Sequence, residues 1–201
     1  MSVTRMDRQV LDRLLAGHAL WLSTVGQQGA QLWLPNADLT GIDLAGSDLA
    51  EIHAPGAVLD GANLVGVNLA GANLAGASLR RVNLERARLA KANLDEVRAV
   101  NSRLVEGDLT RCSLVNADLR DAVLERAVLV RTVLRGADLR GCSLRDAILD
   151  RTLLDDALVE SIDATGMAGS IIVGGVSSTA DRIATVLRAA GAGEIRIFTA
   201  A

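Results

Sequence analysis

Residues 62–76 read Ala-Asn-Leu-Val-Gly, Val-Asn-Leu-Ala-Gly, Ala-Asn-Leu-Ala-Gly, three copies of one five-residue unit with no spacer between them. The same register runs from Leu34 to Leu154. There, 23 of the 25 positions at five-residue spacing are Leu, and Ala54 and Ala99 are the exceptions. A repeat this regular decides the architecture before anything else is read. With the leucine as position i, i−2 is a small or modest apolar residue such as Ala72, Cys112 or Ala137. Position i−1 is usually Asp, Asn, Ser or Arg. On an α-helix each step of five advances about 140° beyond a full turn, so the leucines would spiral around it. On a strand an odd period sends successive leucines to opposite faces. Within one unit, however, i−2, i−1 and i can alternate in, out, in, while the remaining two residues turn the chain. The result is an all-β solenoid with a leucine ladder inside.

Ala-Asn-Leu-Val-Gly (62–66), Ala-Asn-Leu-Ala-Gly (72–76), Ala-Asp-Leu-Arg-Asp (117–121) and Ala-Asp-Leu-Arg-Gly (137–141) resemble the A(D/N)LXX unit of pentapeptide-repeat proteins. The resemblance covers roughly two thirds of the chain, and its specificity comes from the number of copies. It implies a right-handed quadrilateral β-helix with four units per coil, so that residues 20 apart stack. Six to seven coils at ~4.8 Å per layer give a rod about 30 Å long. The resemblance also implies a possible function, since some family members bind DNA gyrase or topoisomerase IV as mimics of duplex DNA and protect against quinolones or other gyrase poisons.

The repeat divides the chain into residues 1–29, 30–168 and 169–201. In the first segment Thr4 is placed to cap an amphipathic helix, with Asp7 three residues on and Val10, Leu11, Leu14, Leu15 and Leu22 as its apolar stripe. A helix there is most simply a cap on the solenoid end. In the last segment Ser170-Ile-Ile-Val reads as a strand. Ser178 and Asp181 form a capping box ahead of Ile183, Val186 and Leu187, Gly191 stops the helix, and Glu194-Ile-Arg-Ile-Phe alternates as a strand. The tail is therefore a small β-α-β element that closes the far end or mediates assembly. His53-Ala54-Pro55 breaks the pattern and predicts a local bulge or bend.

No residue set announces a chemistry. His18 sits on the first helix and His53 at an outward position. Cys112 and Cys142 both occupy the inward i−2 slot, and no Cys/His set has metal spacing. The expectation is a non-enzyme with no cofactor and no metal. The start lacks the apolar core of a signal peptide, and the uncharged run from Gly61 to Leu79 carries polar residues at five-residue spacing, so a soluble, cytoplasmic protein is expected.

Charge follows position. Residues 30–78 hold Asp38, Asp43, Asp48, Glu51 and Asp60 without a single Lys or Arg. Residues 79–104 hold a basic belt of Arg80, Arg81, Arg86, Arg88, Lys91, Arg98 and Arg103 against three acids. The net charge of −3 predicts no direct nucleic-acid binding. Asp38, Asp43, Asp48 and Glu51 are the best candidates for a DNA-mimicking acidic surface, and the basic belt interrupts it. Toward the C-terminus the outward slot turns apolar at Val123, Val128, Val133, Ile148, Leu153 and Leu158. With four units per coil, Val128 stacks under Ile148 and Val133 under Leu153, which makes a contiguous patch. Either residues 179–190 or a second chain covers it, and family resemblance favours a homodimer through the C-terminal region. The expected function is a protein-binding surface or scaffold. The alternatives are a gyrase- or topoisomerase-binding DNA mimic and a structural component of a larger assembly.

Overall fold

The computed structural model describes residues 6–173 and 177–199. Parallel bridges join residues 20 apart in an unbroken series from Trp33↔His53 to Ser143↔Asp163. Four five-residue units therefore complete one coil, and the chain winds as a four-sided β-helix. One unit shows the bonding. The Leu39 N–H donates to Val58 O at 2.7 Å in the next coil, and the Gly41 N–H donates to Asp60 O at 2.9 Å. The Val58 N–H donates back to Ala37 O at 2.9 Å, and the Ile42 N–H closes the corner on Leu39 O at 3.1 Å. The corner is a β-turn whose third residue, at i+2, is left-handed: Gly41 has φ 66° and Arg81 φ 54°. Glycine adopts this conformation freely, whereas another residue there costs about 1–2 kcal/mol.

The amide at i+1 takes no part in this inter-coil ladder, which explains the residue at i−1. An Asp or Asn there turns its side-chain oxygen onto the free N–H: Asn73 Oδ1 accepts from Ala75 N at 3.1 Å, and Asp108 Oδ1 from Thr110 N at 3.0 Å. Inside the rod Leu64, Leu109 and Leu129 are fully buried, and Ala72, Ala117 and Cys142 fill the space between leucine rows. Two inward threonine hydroxyls donate to a leucine carbonyl of the preceding coil, Thr132 Oγ1 to Leu109 O at 2.7 Å and Thr152 Oγ1 to Leu129 O at 2.6 Å.

Helix α1 spans Arg8–Ser23 and is capped by Asp7, whose carboxylate accepts from Gln9 N and Val10 N. The expected start at Thr4 lies outside the described residues. Only Leu11 and His18 of α1 are buried, while Val10 and Leu14 remain exposed. Leu11 joins the end of the leucine ladder beside Leu32 and Leu34. At the other end β1 (Ile148–Leu153), β2 (Ala168–Val173) and β3 (Ile195–Thr199) form a parallel sheet in the order β1-β2-β3. Helix α2 (Ser177–Ala189) connects β2 to β3, so the anticipated β-α-β element exists. Ser178 falls inside α2 rather than ahead of it, and Gly191 (φ 86°) follows the helix end as read.

The bulge expected at His53-Ala54-Pro55 is absent. His53 pairs with both Trp33 and Asn73, and the Ala54 and Gly56 amides keep their ladder bonds. Pro55 stands at i+1, where the missing N–H is not needed. The register irregularity lies instead between β1 and β2, at Leu149–Thr152.

Candidate interaction surface

The four sides of the rod are named here by the first i−1 residue of each column. Val128 and Ile148 pair on the Asp48 side, and Val133 and Leu153 pair on the adjacent Trp33 side. Ile148 is 52% exposed, and Val128, Val133 and Leu153 are half-buried. These four are brought together. Val123 and Leu158 are not, because Val123 stacks between Arg103 and Ser143 and Leu158 stacks on Asp138, on the other two sides. Helix α2 turns Ile183, Ala184 and Leu187 into the end of the core, and its last turn bonds to the final coil through Ala164 N to Ala190 O at 3.0 Å. Ile148 stays exposed.

Of the acidic candidates, Asp38, Asp43 and Asp48 start three different columns, and Glu51 stands at the corner that follows Asp48. Asp38 is half-buried and accepts from the Thr40 amide and hydroxyl. Asp43 accepts from Ala45 N and from Asn63 Nδ2 at 2.9 Å, and Asp48 from Ala50 N and Asn68 Nδ2 at 2.6 Å. These carboxylates hold their own corners and tie the first coils together. Glu51 is exposed at a left-handed corner.

The basic belt is likewise divided among sides. Arg80, Arg81 and Arg98 stand on the Asp38 side, Arg80 and Arg81 lining a shallow cleft with Asp118 and Arg120. Arg86 and Arg103 flank Glu85 on the Asp43 side, at 3.4 and 3.8 Å. Arg88 and Lys91 lie on the Asp48 side and are exposed. Farther along, the Asp38 side carries a charge ladder, Asp118–Arg120–Asp138–Arg140, with contacts of 2.6 to 3.6 Å. Hydrogen bonds from Arg120 and Arg140 hold Asp118 and Asp138 below the usual carboxylate range.

Burial pushes the Cys142 thiol up to about 12 and raises Cys112 further, so both stay protonated and unreactive. The two are unpaired and buried. Among the described residues no group of His, Cys, Asp and Glu has the arrangement to hold a metal ion, and no helix is long and apolar enough to cross a membrane. Sequence reasoning missed two features. Trp33 stands 61% exposed with its ring stacked on His53 at 3.7 Å. His18 is fully buried, and its Nδ1 accepts the Leu32 N–H at 3.1 Å. The stacking was legible from the 20-residue spacing, whereas nothing in the sequence marked His18 as buried.

The family model described as pentapeptide repeats matches residues 37–76, 68–104 and 112–151, more than half of the chain, in eight copies. The chain belongs to the pentapeptide-repeat family. Proteins of this family form right-handed quadrilateral β-helices and are generally non-enzymatic structural or binding proteins. No curated protein matches this pentapeptide-repeat chain. Among solved structures it is similar to HetL, a pentapeptide-repeat protein involved in heterocyst differentiation regulation in the cyanobacterium Nostoc, at 28% identity over 79% of this chain and 78% of that one, with a TM-score of 0.37. It is similar to Rfr23 from the cyanobacterium Cyanothece at 26% identity over 64% and 84%, with a TM-score of 0.48. Trypsin-treated QnrB1, a plasmid-mediated fluoroquinolone resistance protein, matches at 15% identity over 85% and 90%, with a TM-score of 0.45. Membership rests on the repeat itself, not on these superpositions.

Proposed function

We propose that this chain is a rigid, non-enzymatic β-helical surface that binds another protein at the corner flanked by Val128, Ile148, Val133 and Leu153. The observation that carries the reading is the stacking of these aliphatic side chains in two adjacent columns. Earlier in the same columns stand Asn68, Asp108, Asn73 and Asn93. A contiguous apolar strip where solvated side chains otherwise stand is a surface made to be covered. In this reading residues 30–168 form six to seven coils, residues 1–29 and 169–201 close the two ends, and the protein works in the cytoplasm without a cofactor. A scaffold role in a larger assembly uses the same surface.

Affinity capture from the native host by the wild-type protein and by Leu153→Asp tests this. A partner held by the first and lost by the second, with the circular dichroism of the two unchanged, supports the reading. Identical captures overturn it. Light scattering on the same pair shows whether the occupant is a second copy: a dimer that becomes a monomer on substitution assigns the patch to self-association. The gyrase-binding alternative depends on a different surface, the acidic first coils, where no continuous row of carboxylates forms.

A further inference from the structure

At the corner between these two apolar columns, the left-handed i+2 position is occupied in four successive coils by Lys91, Arg111, Arg131 and Arg151, with φ of 61°, 60°, 56° and 53°. The N–H groups of Lys91, Arg111 and Arg131 donate to Thr110, Val130 and Asp150 O of the next coil at 2.9, 2.8 and 2.7 Å. Equal backbone conformation at one-coil spacing sets the four cations in a straight row, and all four are exposed. None has an ion pair or a side-chain hydrogen bond among the described residues. Several arginines on other sides of the rod are paired: Arg126 meets Glu106 at 3.0 Å, Arg135 meets Asp155 at 2.9 Å, and Arg145 meets Asp163 at 3.8 Å. Two carboxylates in the units beside the row are engaged. Asp108 accepts from Thr110 N, and Asp150 accepts from the Ser170 hydroxyl at 2.6 Å. The row ends where the column reaches Gly71 on one side and buried Ile171 on the other.

The spacing selects among anionic partners. Three steps of ~4.8 Å make the row about 14 Å long. Carboxylates on one face of a helix recur every turn, about 5.4 Å, so four of them span ~16 Å, within reach of four long side chains. On one face of an extended strand they recur at ~6.7 Å and span ~20 Å, which leaves the ends unmatched. A duplex winds its phosphates around its axis and meets a straight row only where a backbone crosses it. Val128, Ile148, Val133 and Leu153, which flank the Arg131–Arg151 half of the row, offer nothing to phosphates but match the apolar edges of an amphipathic helix, while Arg88, Asp108, Asn93 and Ser113 flank Lys91 and Arg111. Neither helix described in this chain carries an acidic stripe, since α1 contains Asp12 and α2 Asp181 as their sole acids, so a second copy does not supply the partner.

We propose that Lys91, Arg111, Arg131 and Arg151 dock an acidic amphipathic helix of a protein partner, laid along the rod with its carboxylates on the row and its apolar edges on the aliphatic side chains that flank Arg131 and Arg151. The proposal rests on the binding-surface reading above and names its occupant. Paired Arg–carboxylate contacts give register, and the aliphatic flanks exclude water from them.

The probe is a fluorescent, end-capped alanine-based peptide of about 16 residues, with glutamates on one stripe at turn spacing and leucines on both edges of it. Its partner control has the same composition with the glutamates distributed around the helix. The striped peptide should bind the wild-type protein, more weakly as salt rises, and lose at least about tenfold in affinity with Arg111→Gln/Arg131→Gln. Arg126→Gln, on another side and already paired, should leave binding unchanged, and Arg111→Lys/Arg131→Lys should keep most of it. Equal binding of the two peptides, insensitivity to the double Gln variant, tighter binding of a single-stranded oligonucleotide of similar length, or no peptide binding at all overturns the proposal. Loss of the striped peptide with Leu153→Asp but not with the double variant retains the apolar surface and removes the cationic row from it.

Discussion

Along the repeats the backbone N–H at i+1 stays outside the inter-coil backbone ladder, and a nearby side chain decides what becomes of it: Asp60 and Asp95 take it from Arg80 and Val115 of the next coil, and elsewhere the i−1 residue does. Asn63, Asn73, Asn83 and Asn93 accept that proton with their own side chains. Trp33 and His53 have no oxygen to offer, and both are followed at i+1 by a proline, Pro35 and Pro55, with no proton to satisfy. His18 shows the opposite economy. Its ring is buried between α1 and the first coil, where Nδ1 accepts the Leu32 N–H and Nε2 has no hydrogen-bond partner of good geometry. Burial lowers its pKa, opposed in part by the Ala50 carbonyl and the Asp48 and Glu51 carboxylates. Above pH ~6.5 the ring is neutral in both folded and unfolded chains. Below that value the unfolded chain takes up a proton that the folded one resists, so stability falls as pH falls through the usual histidine range toward the lowered folded pKa. Thermal midpoints measured between about pH 7.5 and 5 should decline, and His18→Asn, which cannot titrate, should flatten that decline. An identical slope in the variant sinks the assignment. Asp118 and Asp138 act in a separate window, losing their contribution only when acid reaches the carboxylate range.

Each coil is an element that contacts its two neighbours alone, so the leucine ladder is felt locally and the damage of a substitution reports how tightly the coils pack. Leu109 is fully buried in mid-rod, with coils above and below it. Leu109→Ala should cost ~2–5 kcal/mol in chemical denaturation, because the hydrogen-bonded coils cannot collapse into the cavity. A loss below about 1 kcal/mol would show that the stack relaxes freely. The ladder was legible because period, polarity and burial all obey one rule in the sequence. The first turn of α1 was not, since Thr4 and Asp7 are both competent caps and only contact with the rod chooses between them. Pro55 misled because proline disrupts an ordinary strand, whereas here it falls on the one amide outside the ladder. Gly169 (φ 125°) carried no signal either. A Cβ there would collide with Leu149 O, so the closeness of β2 to β1 requires glycine, which no local pattern in the sequence declares. The cationic row was hidden by adding charges along the chain: Lys91, Arg111, Arg131 and Arg151 are 20 residues apart, and acids separate them in sequence but not in space.

On the scale of the whole rod, the same sorting by side tests the DNA-mimic alternative. About 30 Å of duplex carries roughly 18 phosphate charges, one per ~1.7 Å of axis. This chain has a net charge of −3. Of its best acidic positions, Asp38, Asp43 and Asp48 open three different columns and Glu51 stands at the corner after Asp48, and the residues stacked on the four one coil later are Val58, Asn63, Asn68 and Gly71, all uncharged. An acidic row therefore stops after a single layer on every side. Asp118 and Asp138 do stack, but Arg120 and Arg140 neutralise them in place. The longest row of like charge among the described residues, Lys91 to Arg151, is positive, which is opposite to what mimicry of phosphate needs. The purified protein at micromolar concentration should leave gyrase supercoiling uninhibited, and its expression should give no protection from fluoroquinolones. Strong inhibition that weakens with rising salt would reverse this ranking, because it would show that the short acidic band of the first coils is enough to occupy a DNA-binding channel.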